Sequence, residues 1–367
     1  MTRSLLIAAL LAVAAPAHGD IWERATNDAS SDQFTALLQK GDDAVLSANS
    51  QSAGPSLAVR QFDLAIEAYR AAAKLKPSSP EPWFRIASAI DSFFIEGCDK
   101  SDLFRDSRIP ATCELVTVNR NTKARELIEA WEAFEAVSPL DPRVNQILYR
   151  RAIIRTKQLG TTTKPDPLLR AVIKDYQALL DSKDGLSLSS DEGITGNLAE
   201  TQLMLGDTER AIELYREAIK LGGGVSTIYG LAVALDRDGQ GVQALGVIRS
   251  QGIEGVEQFE KQFDRGQIFF VPSGEIEYYF GLAAEAFGNF NEAAQHWKAF
   301  IQSGAHPQYQ PRAKEHLDKL ILRRSVQFEV PITKDLGARP VLRSPFDPIA
   351  PPPRPIRRPI NKLPVTP

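Results

Sequence analysis

The residues with the plainest chemical potential are Cys98 and Cys113, fifteen positions apart and the only cysteines in the chain. In an oxidising compartment two thiols at that spacing can pair. Closing a loop of that size stabilises a fold by roughly 3 kcal/mol in the chain-entropy model. Free thiols and a redox-active pair are the alternatives. The latter usually needs Cys-x-x-Cys spacing or a flanking basic cluster, and neither occurs here. The four histidines, His18, His296, His306 and His316, include no pair with metal-ligand spacing on one helix. No Ser-His-Asp set has local support. Gly239 to Ala244 reads GQGVQA and matches a dinucleotide fingerprint. That fingerprint needs a strand before it. The preceding residues, IYGLAVALDRD, have the period of a helix instead. The sequence therefore predicts no catalytic residues, no metal site and no cofactor.

The elements around these residues are helical. First, however, comes a leader. Arg3, an apolar run of about a dozen residues and the small pair Ala15 and Ala17 form the three parts of a secretory signal. Cleavage is expected after Ala17, with Gly19 as the alternative, and the mature chain is expected in the periplasm or outside the cell. No later stretch is apolar enough to span a membrane. Charge is uneven. From Arg324 onward there are eight basic and three acidic residues. With the whole chain at −3 and Arg3 lost with the leader, a tail of +5 leaves His18–Arg323 at −9. An acidic body argues against nucleic acid as its partner.

Residues 18–56 are read as one helix from about Ser31 to Ala48 and a loop, NSQSAGPS. From 57 to 323 a motif recurs. One helix carries Trp83-x2-Ile86-Ala87-x2-Ile90, and others carry Ala130-x3-Phe134, Ala211-x3-Tyr215-x2-Ala218 and Ala293-x3-Trp297-x2-Phe300. Ala211 and Ala244 stand 33 residues apart. Small residues let two helices approach, and large ones fill the space between pairs. Insertions are expected at 96–121 and 252–274, the second with a short helix within EGVEQFEKQF. A capping helix is expected at Gln310–Arg323. The segment 324–367 contains PPPRPIRRP and is read as a disordered basic tail. It could be a spacer, a groove ligand or a strap on the acidic body.

This pattern resembles the tetratricopeptide repeat, whose period is about 34 residues. The resemblance covers roughly residues 57–323. It implies an all-α, right-handed superhelical solenoid of about six antiparallel helix pairs. In that family the first helices of successive pairs line a concave, ligand-binding face. By the repeat register, that face here takes Phe84, Arg85, Tyr149, Arg150, Asn197, Tyr229, Tyr278 and Tyr279. Asp91, Arg237 and Glu285 follow one or two turns later. Tyr, Phe and Arg dominate binding hot spots. The implied function is a non-catalytic scaffold for a protein or extended peptide. The alternative is an enzyme or a glycan-binding regulator that uses the helices as a frame.

Overall fold

A computed structural model describes residues 19–50, 54–96, 120–159, 165–182, 191–268 and 270–322. The leader up to Ala17, Cys98, Cys113 and the tail from Arg324 lie outside the described residues, and so does nearly all of the expected insertion 96–121.

Among the described residues every regular element is a helix. The helices are α1 (Gly19–Ala48), α2 (Pro55–Leu75), α3 (Glu81–Ile90), α4 (Arg120–Val137), α5 (Arg143–Gln158), α6 (Pro165–Asp181) and α7 (Asp191–Leu205). They continue as α8 (Thr208–Lys220), α9 (Val225–Arg237), α10 (Gly241–Ser250), α11 (Gly252–Asp264), α12 (Ile276–Ala286), α13 (Phe290–Ser303) and α14 (Gln310–Leu322). A π-helical turn, Asp91–Glu96, extends α3. Short 3-10 turns at Ser273–Glu275 and Pro307–Tyr309 precede α12 and α14.

Neighbours in sequence pack as neighbours in space: α1 on α2, α3 on α4, α5 on α6, α7 on α8, α9 on α10, α12 on α13, and α14 on α13. The first helix of the α9–α10 pair also touches α7 and α12. Such packing follows from the sequence. α8 starts at Asp207, whose side chain accepts the Arg210 amide at 3.1 Å, a standard N-cap. Its Ala211, Tyr215 and Ala218 then fall on one face and are all buried. Gly239 takes φ +84° in the turn between α9 and α10, so the apparent fingerprint is an interhelical turn. Gly230 and Gly281 serve differently. A Cβ at Gly230 would overlap the Tyr215 ring, and one at Gly281 would lie 3.0 Å from Trp297. Each glycine lets a large ring of a neighbouring helix lie against backbone, Tyr215 of α8 at Gly230 and Trp297 of α13 at Gly281.

Two boundaries differ from expectation. α1 begins at Gly19 rather than near Ser31. Its early residues lack an apolar stripe, so periodicity misses them. The expected insertion 252–274 is mostly α11, a full 13-residue helix.

Candidate functional site

The predicted groove residues sit on α3, α5, α7, α9 and α12, and the structure divides them into two sets. Those on α3, α5 and α7 are half-buried. Phe84 lies 5.7 Å from Phe134, and the Arg143 guanidinium caps both rings at 4.3 and 4.9 Å. Arg85 donates to Glu81 at 3.0 Å and pairs with Asp42 of α1. Asp42 also accepts the Tyr69 hydroxyl at 2.8 Å. Arg150 grips Asp91 with two bonds of 2.8 and 2.9 Å. The Arg150 and Asp91 side chains remain 25 % and 19 % exposed. Asn197 hydrogen-bonds to Tyr176 from the neighbouring α6. Tyr149 stays half-buried beside these groups.

The set on α9 and α12 is closed. Tyr229, Tyr278 and Tyr279 are 1 %, 0 % and 3 % exposed, and the Arg237 side chain is fully buried. Phe259 of α11 lies between Tyr229 and Tyr279, nearly parallel to both, with ring centroids 4.6 and 5.6 Å away. Phe270 adds a contact on Tyr279 at 4.7 Å. Arg237 is sandwiched between the rings of Tyr278 and Tyr309 at 4.4 and 4.1 Å and donates to Glu275 at 2.6 Å. Two segments therefore return over this face, α11 with Phe270 and the turn at Pro307–Tyr309. Repeat register places side chains on a helix face but carries no information about segments that fold back over it.

Beneath the tyrosines lies a buried polar layer. Glu200 Oε2 accepts the hydroxyls of Tyr215 and Tyr279, the latter at 2.9 Å. Burial, then the neighbouring charge of Glu275, pushes the Glu200 carboxyl above the usual range. Burial does the same to Glu275, against the pull of Arg237. His306 is driven down to about 4 by burial and by Arg237, so its ring is neutral near pH 7. Several atoms here are sealed from solvent and have no hydrogen-bond partner: Glu200 Oε1, Glu275 Oε2, His306 Nε2, and Nε and Nη1 of Arg237.

A second layer is fully partnered. Asp236 accepts from Arg312 at 2.7 and 3.2 Å, from the Tyr278 hydroxyl at 2.6 Å and from His316 at 3.0 Å. His316 Nδ1 meets Glu285 at 2.8 Å, and Trp297 donates to the same carboxylate at 3.3 Å. Trp297 stacks on the His316 ring at 4.6 Å. Burial would lower the His316 pKa, but Asp236 and Glu285 outweigh it and raise it to about 9. His296 is buried too, 2.6 Å from Glu277. His296 and His316 thus join helices as buried charge partners, a role their surroundings in sequence do not announce. Asp236 had one visible signal: a carboxylate inside the apolar run of α9.

No protein-family model matches the chain, and no curated protein sequence matches it. Among the described residues no group of three or more His, Cys, Asp or Glu side chains is arranged to hold a metal ion. No helix among them is long and apolar enough to cross a membrane.

Proposed function

We propose that this chain is an exported tetratricopeptide-type scaffold that binds a protein or extended peptide without catalysing a reaction. The helix pairs stack into a right-handed solenoid whose concave face is the binding face. The signal-like leader supports export to the periplasm or beyond, where Cys98 and Cys113 pair and the basic tail acts as a spacer. The observation that carries the reading is the half-open surface of Phe84, Arg85, Tyr149, Arg150 and Asn197 across α3, α5 and α7. Its mixture of aromatic and guanidinium groups has the composition of a hot spot. These side chains are already held by neighbours, which lowers the ordering cost of binding.

Paired carboxylates open to substrate would favour the enzyme reading instead. Glu200 and Glu275 are coupled, but their unpartnered oxygens are closed off from solvent. The scaffold reading is tested by crosslinking and pull-down with wild type and a Tyr149→Ala, Asn197→Ala double variant. The expected outcome is loss of at least one partner with helical content unchanged. Full recovery of every partner sinks the proposal. Tyr229 and Tyr278 are unsuitable for this test because both are core residues.

A further inference from the structure

We propose that Glu200 binds a proton at neutral pH and stands in the buried layer as a neutral carboxylic acid, with Oε1 as its donor beside the bare acceptors of Glu275 and His306.

The charge balance of the layer leads to this assignment. Its titratable groups are Glu200 of α7, Tyr215 of α8, Arg237 of α9, Glu275 in the turn before α12, Tyr279 of α12, and His306 and Tyr309 at the turn before α14. Burial keeps the three tyrosines neutral at pH 7, and His306 is neutral there too. One cation therefore faces two carboxyl groups. Arg237 is committed to Glu275, to which it donates at 2.6 Å, and both side chains are fully buried. Glu275 is accordingly the ionised member. The partners of Glu200 are the neutral hydroxyls of Tyr215 and Tyr279. With both carboxyls ionised, the layer would hold a net negative charge away from water. A buried carboxyl without its own cation takes a proton instead, and two carboxyls that share one site hold their protons unequally.

The hydrogen bonds divide in the same way. Both hydroxyls go to Oε2 of Glu200, and the sealed Oε1 has no partner. That division fits an acid whose carbonyl oxygen accepts and whose hydroxyl donates. Acceptors are left over nearby. Glu275 Oε2 and His306 Nε2 are sealed, bare and 3.7 Å apart. The other ring nitrogen of His306 is engaged with the Val271 backbone, so Nε2 of the neutral ring is an acceptor. Two acceptors cannot bond each other, and the bare donors of Arg237 do not reach them. Both residues lie close enough to Glu200 to interact with its charge. A hydrogen on Oε1 adds a donor on that side of the layer. Native cores leave few such atoms unmet.

Infrared spectra of wild type and Glu200→Gln in heavy water at pH 7 test the assignment. Glutamine has the shape of the neutral acid, with a carbonyl acceptor on one atom and donors on the other. Wild type is expected to show a protonated-carboxyl C=O band that the variant lacks. The variant is expected to unfold at the wild-type denaturant midpoint or above it. A wild-type spectrum without the band overturns the proposal, whatever the variant does. So does a band that survives in the variant, because the acid is then another residue. A variant with a lower midpoint, or without a cooperative melt, overturns it as well, because the fold then needs the ionised form of Glu200.

Discussion

His316 Nε2 lies 3.0 Å from both carboxylate oxygens of Asp236, tying the terminal helix α14 to α9. Both residues are buried, at 3 % and 0 % exposure, and Arg312 of α14 reinforces the same carboxylate. The pair makes the last helix of the described array a charged latch on the α9–α10 unit.

Stability should fall on the alkaline side. The His316 pKa is raised from 6.5 to about 9 in the folded state. Its contribution is therefore complete below about pH 6.5 and is lost as pH rises through 9. The shift corresponds to an effect on the order of 3 kcal/mol. Asp236 runs the other way. Burial opposes its ionisation, but hydrogen bonds from His316 and Arg312 hold it well below the usual carboxylate range. Its contribution is present above the unfolded value near 3.8 and is lost as pH falls further. Melting temperature measured from pH 5 to 10 should decline above 6.5 in wild type. In His316→Gln that decline should flatten.

Asp236→Ala should be severe. It removes the buried carboxylate shared by His316 and Arg312, leaving them only Glu285 and the more exposed Glu315, at a cost of about 3 kcal/mol. Lys314→Ala breaks an exposed pair with Asp318 on the same helix and should cost less than about 0.5 kcal/mol. Denaturant titration of the two variants checks the contrast. Equal midpoints would refute the latch.

Two tyrosines predict opposite signs. The Tyr229 hydroxyl is sealed without a partner, so Tyr229→Phe should be neutral or stabilising by up to about 1 kcal/mol. The Tyr278 hydroxyl donates to Asp236 at 2.6 Å. Tyr278→Phe removes a bond to a charged acceptor and should destabilise by about 1.5–3 kcal/mol. Thermal melts of both proteins decide the matter.

Gly230→Ala tests the close approach of α9 to α8. The added methyl would run into the Tyr215 ring, and that ring is held by its bond to Glu200. Overpacking should cost about 1–3 kcal/mol. An unchanged denaturation midpoint would show that the ring moves freely.

Much of the fold is legible in the amino-acid sequence alone. Ala211, Tyr215 and Ala218, and Ala293, Trp297 and Phe300, mark the faces on which α8 and α13 pack, and all six are buried. The helix breaks after Leu205, Arg237 and Ala286 fall where Gly206, Gly239 and Gly288 stand, each at positive φ. The last helix, expected at 310–323, runs Gln310–Leu322. These features are local. A period of three and four residues, or a glycine that turns left, acts within one or two turns of chain.

What only the tertiary structure decided is which residues of the predicted face remain available. Phe84, Arg85, Tyr149, Arg150 and Asn197 stay half-open, while Tyr229, Arg237, Tyr278 and Tyr279 are covered by Phe259, Phe270 and Tyr309. Likewise, the charge partners Asp236 and His316 are 80 positions apart. The sequence determines which side of each helix is apolar. It does not encode locally where a distant segment will come to rest, because that depends on contacts between residues far apart in the chain and on burial that exists only once the array has closed.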